Sequence, residues 1–234
     1  MAGHHLQRAL ITLERHGQES VPERRIHSKG VVTVKRNWLT VWLLFFLLWT
    51  LFVLYPNPAR LGLSLVRIVR PPLDPVAVGE LAATLPSDAA VIERHILRTF
   101  PYQHDWITYG VPWYYPSVKE ALRQGTGDCK TRFVVLASIY EALQVPYRQV
   151  FSLSHYWVTY DGKRETALEA EHNAWMVRDE EGSRLQVPRE DWEQIWDNFV
   201  AAFWDPMPHH RKWLWFGGLP VTLLAAKLYQ KKKE

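Results

Sequence analysis

The stretch Trp38 to Tyr55, WLTVWLLFFLLWTLFVLY, carries no charge, and the charge-free window around it extends from Asn37 to Ala59. As one helix, that window would be long enough to cross a hydrocarbon layer of about 30 Å. Trp38 and Tyr55 would then sit at the two interfaces, where aromatic anchors belong. A cleaved signal peptide fits less well, because its apolar part is shorter and 36 residues precede this one. The expectation is a transmembrane helix over residues 37–57. A second apolar segment, WLWFGGLPVTLLAAKLY, runs from Trp213 to Tyr229. It is interrupted by Gly217, Gly218 and Pro220. Lys227 within it can snorkel toward Lys231, Lys232 and Lys233. This predicts a second transmembrane or interfacial helix over 213–230 with a Lys-rich tail.

Charge patterning supports a membrane and excludes nucleic acid. Residues 1–36 hold seven Lys/Arg and three acids, whereas residues 56–212 hold 17 Lys/Arg and 20 acids. A nucleic-acid surface needs clustered positive charge on the folded part, and here the folded part is slightly acidic. Arg24, Arg25, Lys29, Lys35 and Arg36 precede the first apolar segment, against Arg60, Arg67 and Arg70 after it. That bias places the N-terminus in the cytoplasm and the region between the two segments outside it, at the cell membrane. Arg211 and Lys212 pull mildly the other way. Residues 1–36 read as a basic arm, and residues 58–75, rich in proline, as a linker.

A folded domain is expected over residues 76–206. Asp88 to Phe100 has helical periodicity, with Ser87 or Asp88 as cap. Ser117 and Glu120 have the spacing of a capping box. A helix from about Asp128 to Leu143 follows, ended by Pro146. Then the period changes. Tyr147–Leu153 and His155–Tyr160 read as strands, with Asp161-Gly162 as a hairpin turn. Thr166–Glu169, Ala174–Arg178 and Arg184–Val187 are further strand candidates, with Glu181-Gly182 turning between the last two. Trp192 to Phe203 reads as an amphipathic helix. Helices first and antiparallel strands after them make an α+β domain.

Cys129 is the only cysteine, so no internal disulfide and no cysteine-type zinc site can form. It lies at the start of the predicted 128–143 helix, where the dipole and the free N–H groups favour negative charge and can stabilise an oxyanion. Gly125 and Gly127 would let the backbone approach and clear space above the sulfur. A lone cysteine is also a common buried packing residue, so position alone leaves both readings open. A nucleophile needs a base. His4, His5, His16 and His27 precede the first apolar segment, and His209 and His210 adjoin the second. His95 and His104 lie upstream of the cysteine. His155 and His172 lie among the strands. His155 opens the alternating run HYWVTY, sharing a face with Trp157 and Thr159; that face is expected to cover the sulfur. Asp128 reads as a helix cap. Lys130 and Arg132 read as solvated first-turn residues. Gln103 and Trp113 belong to an aromatic stretch, residues 101–116, that either walls a cleft or packs near the membrane.

Gly127-Asp128-Cys129, the helix after it, Val145-Pro146-Tyr147-Arg148 and His155-Tyr156-Trp157-Val158 together resemble the transglutaminase-like superfamily. Phe100-Pro101-Tyr102 and Trp113 to Pro116 resemble the lead-in of its bacterial members. The resemblance covers about a third of the chain, residues 88–169. It implies a papain-like core, a cysteine-bearing helix packed on an antiparallel sheet, flanked by the transmembrane helices. It also implies Cys129 as nucleophile and His155 as base. The third member is usually an aspartate in an L-D-P context; here the matching place reads Ala167-Leu168-Glu169-Ala170. Glu169 is the best candidate for orienting the histidine, with Glu165 and Asp161 as alternatives. A looser register through Glu171-His172-Asn173-Ala174-Trp175 would replace His155 by His172. The implied activity is a membrane-anchored thiol enzyme acting on amide or peptide bonds of a protein or peptide through a thioester, a peptidase or acyl-transferase needing no cofactor. The alternatives are a non-catalytic binding or assembly module at the cell envelope and, more remotely, a zinc site on Cys129, His155 and a carboxylate.

Overall fold

The structure, a computed structural model, describes residues 38–152, 154–179, 181–188 and 192–232. The basic arm 1–36 with its four histidines, Leu153 at the end of an expected strand, and Lys233 of the tail lie outside the described residues. The described residues form an α+β fold with one four-stranded antiparallel sheet.

The long apolar run does not continue as one helix. Helix α1 spans Trp38–Leu54, 17 residues, about 25 Å at 1.5 Å per residue. Pro56 disfavours helical backbone at the residue before it. The chain then re-enters helix α2, Pro58–Val69, at 83° to α1. Among the described residues no single helix is long and apolar enough to cross a membrane; only the bent α1–α2 pair has the length and composition together. The expected linker over 58–75 is therefore largely helix. Its prolines bracket α2 instead of breaking it. Pro58 occupies the first turn, where its missing N–H costs nothing, Asn57 Oδ1 accepts from Ala59 N at 3.1 Å, and Pro71 and Pro72 follow the end.

Three short helices come next, α3 Gly79–Ala82, α4 Ala89–Thr99 and α5 Asp105–Thr108. Asp88 caps α4 by accepting from Val91 N at 2.9 Å. Helix α6, Val118–Gln124, opens with the expected Ser117/Glu120 capping box and closes on Gly125 at φ 62. Helix α7, Cys129–Leu143, is buried on nearly every face. Its Phe133, Val134, Ala137 and Ile139 meet Ile92 and Ile96 of α4 and Val118 of α6, and beyond them the sheet. A helix buried on nearly every face is a core element.

The strands are β1 Arg148–Phe151, β2 Tyr156–Thr159, β3 Met176–Asp179 and β4 Gly182–Leu185, in the order β2-β1-β3-β4. Phe151 pairs with Tyr156 on one side and Met176 on the other. Phe151, Val158 and Met176 face α7, whereas Val150, Trp157 and Val177 form a separate cluster. The face that covers the cysteine helix is thus that of Tyr156 and Val158, not that of Trp157 and Thr159 as the alternation suggested. The hairpin at Asp161-Gly162 does not form: β1 takes β3 as its second partner, and the expected strand Thr166–Glu169 is irregular. Lys163, Arg164 and Glu165 break the apolar alternation there, and side-chain bonds fix the segment instead.

Helix α8, Trp192–Phe199, runs into a π-helical stretch, Val200–Trp204, and then helix α9, His209–Lys231. Helix α9 returns to α1. Trp49 Nε1 donates to Leu214 O at 2.9 Å, and Trp215 Nε1 to Thr50 Oγ1 at 3.1 Å. Gly218 allows the approach, since a Cβ there would overlap the Trp49 indole. The pair leaves Leu43, Leu47, Phe52, Leu224 and Leu228 exposed.

Candidate active site

Cys129 begins α7 and is 9% exposed. Its position follows from the turn before it. Gly127 N donates to Pro101 O at 3.2 Å, and Gln103 N to Gly127 O at 3.0 Å, so the turn is laced to the Pro101–Gln103 segment. A Cβ on Gly127 would overlap the Thr131 side chain. The glycine therefore seats the turn on the helix rather than clearing space above the sulfur. Asp128 caps α7 as expected: its Oδ1 accepts from Lys130 N at 3.0 Å and Thr131 N at 3.4 Å. The cap thus occupies two of the N–H groups expected to serve an oxyanion, leaving that of Cys129 itself outside the cap.

Lys130 is not solvated. It is 4% exposed, and its ammonium lies between Asp105, at 3.0 Å, and Asp128. Burial works against the charge on Lys130, but Asp128 and Asp105 outweigh it and hold its pKa well above the ordinary value. Burial, together with repulsion from Asp128, raises that of Asp105, against the attraction of Lys130. Asp105 Oδ2 also accepts from Tyr114 N at 2.7 Å. One buried ionic cluster therefore ties the start of α7 to the aromatic stretch. Arg132 is half-buried, with Nε donating to Phe100 O at 2.9 Å. Neither role was legible from spacing, because a lysine and an arginine in a first turn are ordinarily surface residues.

His155 precedes β2. Its placement depends on Ser152, a buried residue absent from the sequence expectations. Ser152 Oγ accepts from Ser154 N at 3.2 Å and His155 N at 2.9 Å, while Ser152 N donates to His155 O at 2.9 Å. The His155 ring stacks on Trp157, consistent with two residues on one face. Its Nε2 lies 3.2 Å from Glu169 Oε1, and the Cys129 thiol is near enough to act on its protonation. Burial alone would lower the His155 pKa; Cys129 and Glu169 overcome it and raise it to about 10. Burial disfavours ionised Glu169, but His155 and Lys163 hold its pKa below the ordinary carboxylate value. Lys163, also unforeseen, bridges Glu169 at 2.9 Å and Glu93 at 2.7 Å and donates to Val158 O at 2.7 Å.

The structure brings Cys129, His155 and Glu169 together. It does not bring His172, which is exposed on the single turn Glu171–Asn173, nor Asp161 and Glu165, both exposed. Glu171 instead pairs with Arg148 through both carboxylate oxygens. Among the described residues no group of three His, Cys, Asp or Glu side chains is arranged to hold a metal ion.

A cavity of about 430 Å³ reaches Cys129 from the side of Asp105 and Trp113. His155 is not on its wall, although Ser154 and Tyr156 are. Asp105, Asp128 and Lys130 make a polar wall, and Trp113, Phe199 and Phe203 contribute to an apolar one. Asp105 Oδ1 is buried and has no hydrogen-bond partner among the described residues. The two readings of the aromatic stretch divide by residue. Trp113 walls the cavity, whereas Trp106 packs with Val53 and Met207 at the α1–α9 pair. Gln103 is not on the cavity wall; its Oε1 accepts from Thr108 Oγ1 at 3.2 Å. Searches of protein-family models, curated proteins and solved structures found nothing that matches this chain.

Proposed function

We propose that the chain is a membrane-associated, transglutaminase-like thiol enzyme with a papain-like arrangement, acting on amide or peptide bonds of a protein or peptide, by default as a peptidase. The observation that carries this reading is the His155 ring bonded to the Glu169 carboxylate, with the Cys129 thiol near enough to act on the same ring. A base oriented by a third group and within reach of a nucleophile is the arrangement that activates a thiol. His155 takes the Cys129 proton as the attack begins. The Cys129 sulfur attacks the carbonyl carbon, and the N–H of Cys129 can meet the developing oxyanion. Breaking the C–N bond sends the His155 proton to the leaving amine. Water then attacks the thioester, giving its proton to His155, and the carboxylic acid and free cysteine are released; an amine in place of water gives transfer.

Membrane association is supported by the exposed apolar faces of α1 and α9 and by Lys227, Lys231 and Lys232 along the end of α9. The flanking charge favours a site on the extracytoplasmic side. Iodoacetamide labelling tests the chemistry. Wild-type Cys129 is expected to react rapidly below pH 8, and His155→Ala to slow it by about 100-fold. Equal, slow labelling of both would leave a binding or assembly module as the better reading.

A further inference from the structure

The wall of the cavity over Cys129 is built in part by the segment that leads back to α9. Ile195, Asn198, Phe199 and Ala202 recur at helical spacing on its inner side, and Phe203 follows them. The same helix carries Trp192 and Trp196, 77% and 63% exposed, in line with Phe199 at the i, i+4, i+7 positions of an outward stripe. Phe199 belongs to both faces.

This wall is continuous with the apolar helix pair. Trp196 meets Phe199, Phe199 stacks on Phe203 at 4.9 Å, and Phe203 meets Trp106. Trp106 Nε1 also donates to Phe203 O at 2.7 Å. The next residue, Trp204, touches Trp215 and Phe216 of α9, and Lys212 Nζ lies over its ring at 5.2 Å. Aromatic residues beside lysine on an exposed apolar surface are the composition of a lipid interface. A water-soluble peptide substrate gives no reason for an apolar ladder that joins the cleft to that surface.

We propose that the 192–204 segment is the substrate-binding wall for an amide bearing a long aliphatic chain, such as an N-acyl or lipid-linked peptide, taken from the membrane surface. The chain lies against Ile195, Phe199 and Phe203 while the carbonyl meets Cys129, and Trp192 and Trp196 rest in the interface. This inference depends on the thiol chemistry proposed above but fails separately from it.

The test uses the full chain reconstituted in vesicles of phosphatidylcholine with phosphatidylglycerol, labelled with iodoacetamide and with N-dodecyl iodoacetamide. The ratio of the two rates is compared between wild type and variants, so that partitioning of the reagent cancels. Phe203→Asn and Ile195→Asn are each expected to cut the dodecyl-to-iodoacetamide ratio at least fivefold. Trp192→Ser with Trp196→Ser is expected to lower it in vesicles but not in detergent micelles. Ratios unchanged in every variant, with fast His155-dependent iodoacetamide labelling, would overturn the substrate assignment alone. Slow, His155-independent labelling by both reagents would overturn the thiol chemistry beneath it.

Discussion

The two halves of the candidate site are held in different ways. Cys129 starts a helix buried on nearly every face, fixed by a buried cluster of Asp105, Lys130 and Asp128. His155 and Glu169 are carried by a short turn and an irregular segment, each side chain about a fifth exposed, with Lys163 as the main tie. The cysteine is positioned by the core and the histidine by a few polar contacts. Strain on the first half should therefore appear as lost folding, and strain on the second as lost reactivity in a folded protein.

The largest effect expected is that of Lys130→Met, which leaves two buried carboxylates without their cation. Denaturant unfolding should show a loss of about 3–5 kcal/mol. Lys163→Met should cost about 1–2 kcal/mol, since its partners keep some solvent. Equal losses would erase the distinction between the halves. Gly127→Ala comes next, at about 1–3 kcal/mol, because the new methyl must displace Thr131; thermal melting checks it. Glu169→Gln should leave stability nearly intact while slowing iodoacetamide labelling at neutral pH by about tenfold and moving its alkaline limb to lower pH.

The pH dependence of stability sharpens the same contrast. A histidine whose pKa is raised on folding stabilises the native state fully below its unfolded value, 6.5, and loses that contribution as pH rises through about 10. Unfolding free energy should accordingly fall between those limits. In Cys129→Ala, where the thiol's part in raising the histidine's pKa is missing, the fall should be smaller and end at lower pH. The smallest effect is that of His172→Ala, expected to change neither labelling nor stability measurably; a loss of labelling there would reverse the assignment of the base.

The parts read correctly from sequence are those governed by local rules. Asp88, Ser117 with Glu120, and Asp128 cap helices because short polar side chains reach nearby N–H groups whatever the surroundings. Joining Cys129, His155 and Glu169 rests on the resemblance, which itself leaves His172 as an alternative base and Glu165 and Asp161 as alternative acids. Non-local facts escaped. The burial of Lys130 depends on Asp105, 25 residues upstream. The role of Lys163 depends on Glu93, 70 residues away. The helix over 58–69 is not legible from proline content alone, because proline breaks a helix or starts one according to where it falls. The single long span failed for the related reason that composition overlooked Pro56.

The packing of α1 against α9 also has a consequence in time. The bond from Trp49 to Leu214 closes a separation of 165 residues, and a ribosome adds roughly 5–20 residues per second. Helix α1 thus emerges on the order of ten seconds before its partner exists. During that interval its leucines and tryptophans need another cover, and whatever provides it, lipid or chaperone, must release Trp49 before Gly218 can dock. Biogenesis of this chain is therefore gated by the emergence of α9, and truncation before Trp213 should leave α1 without its mate even when the cysteine domain has folded.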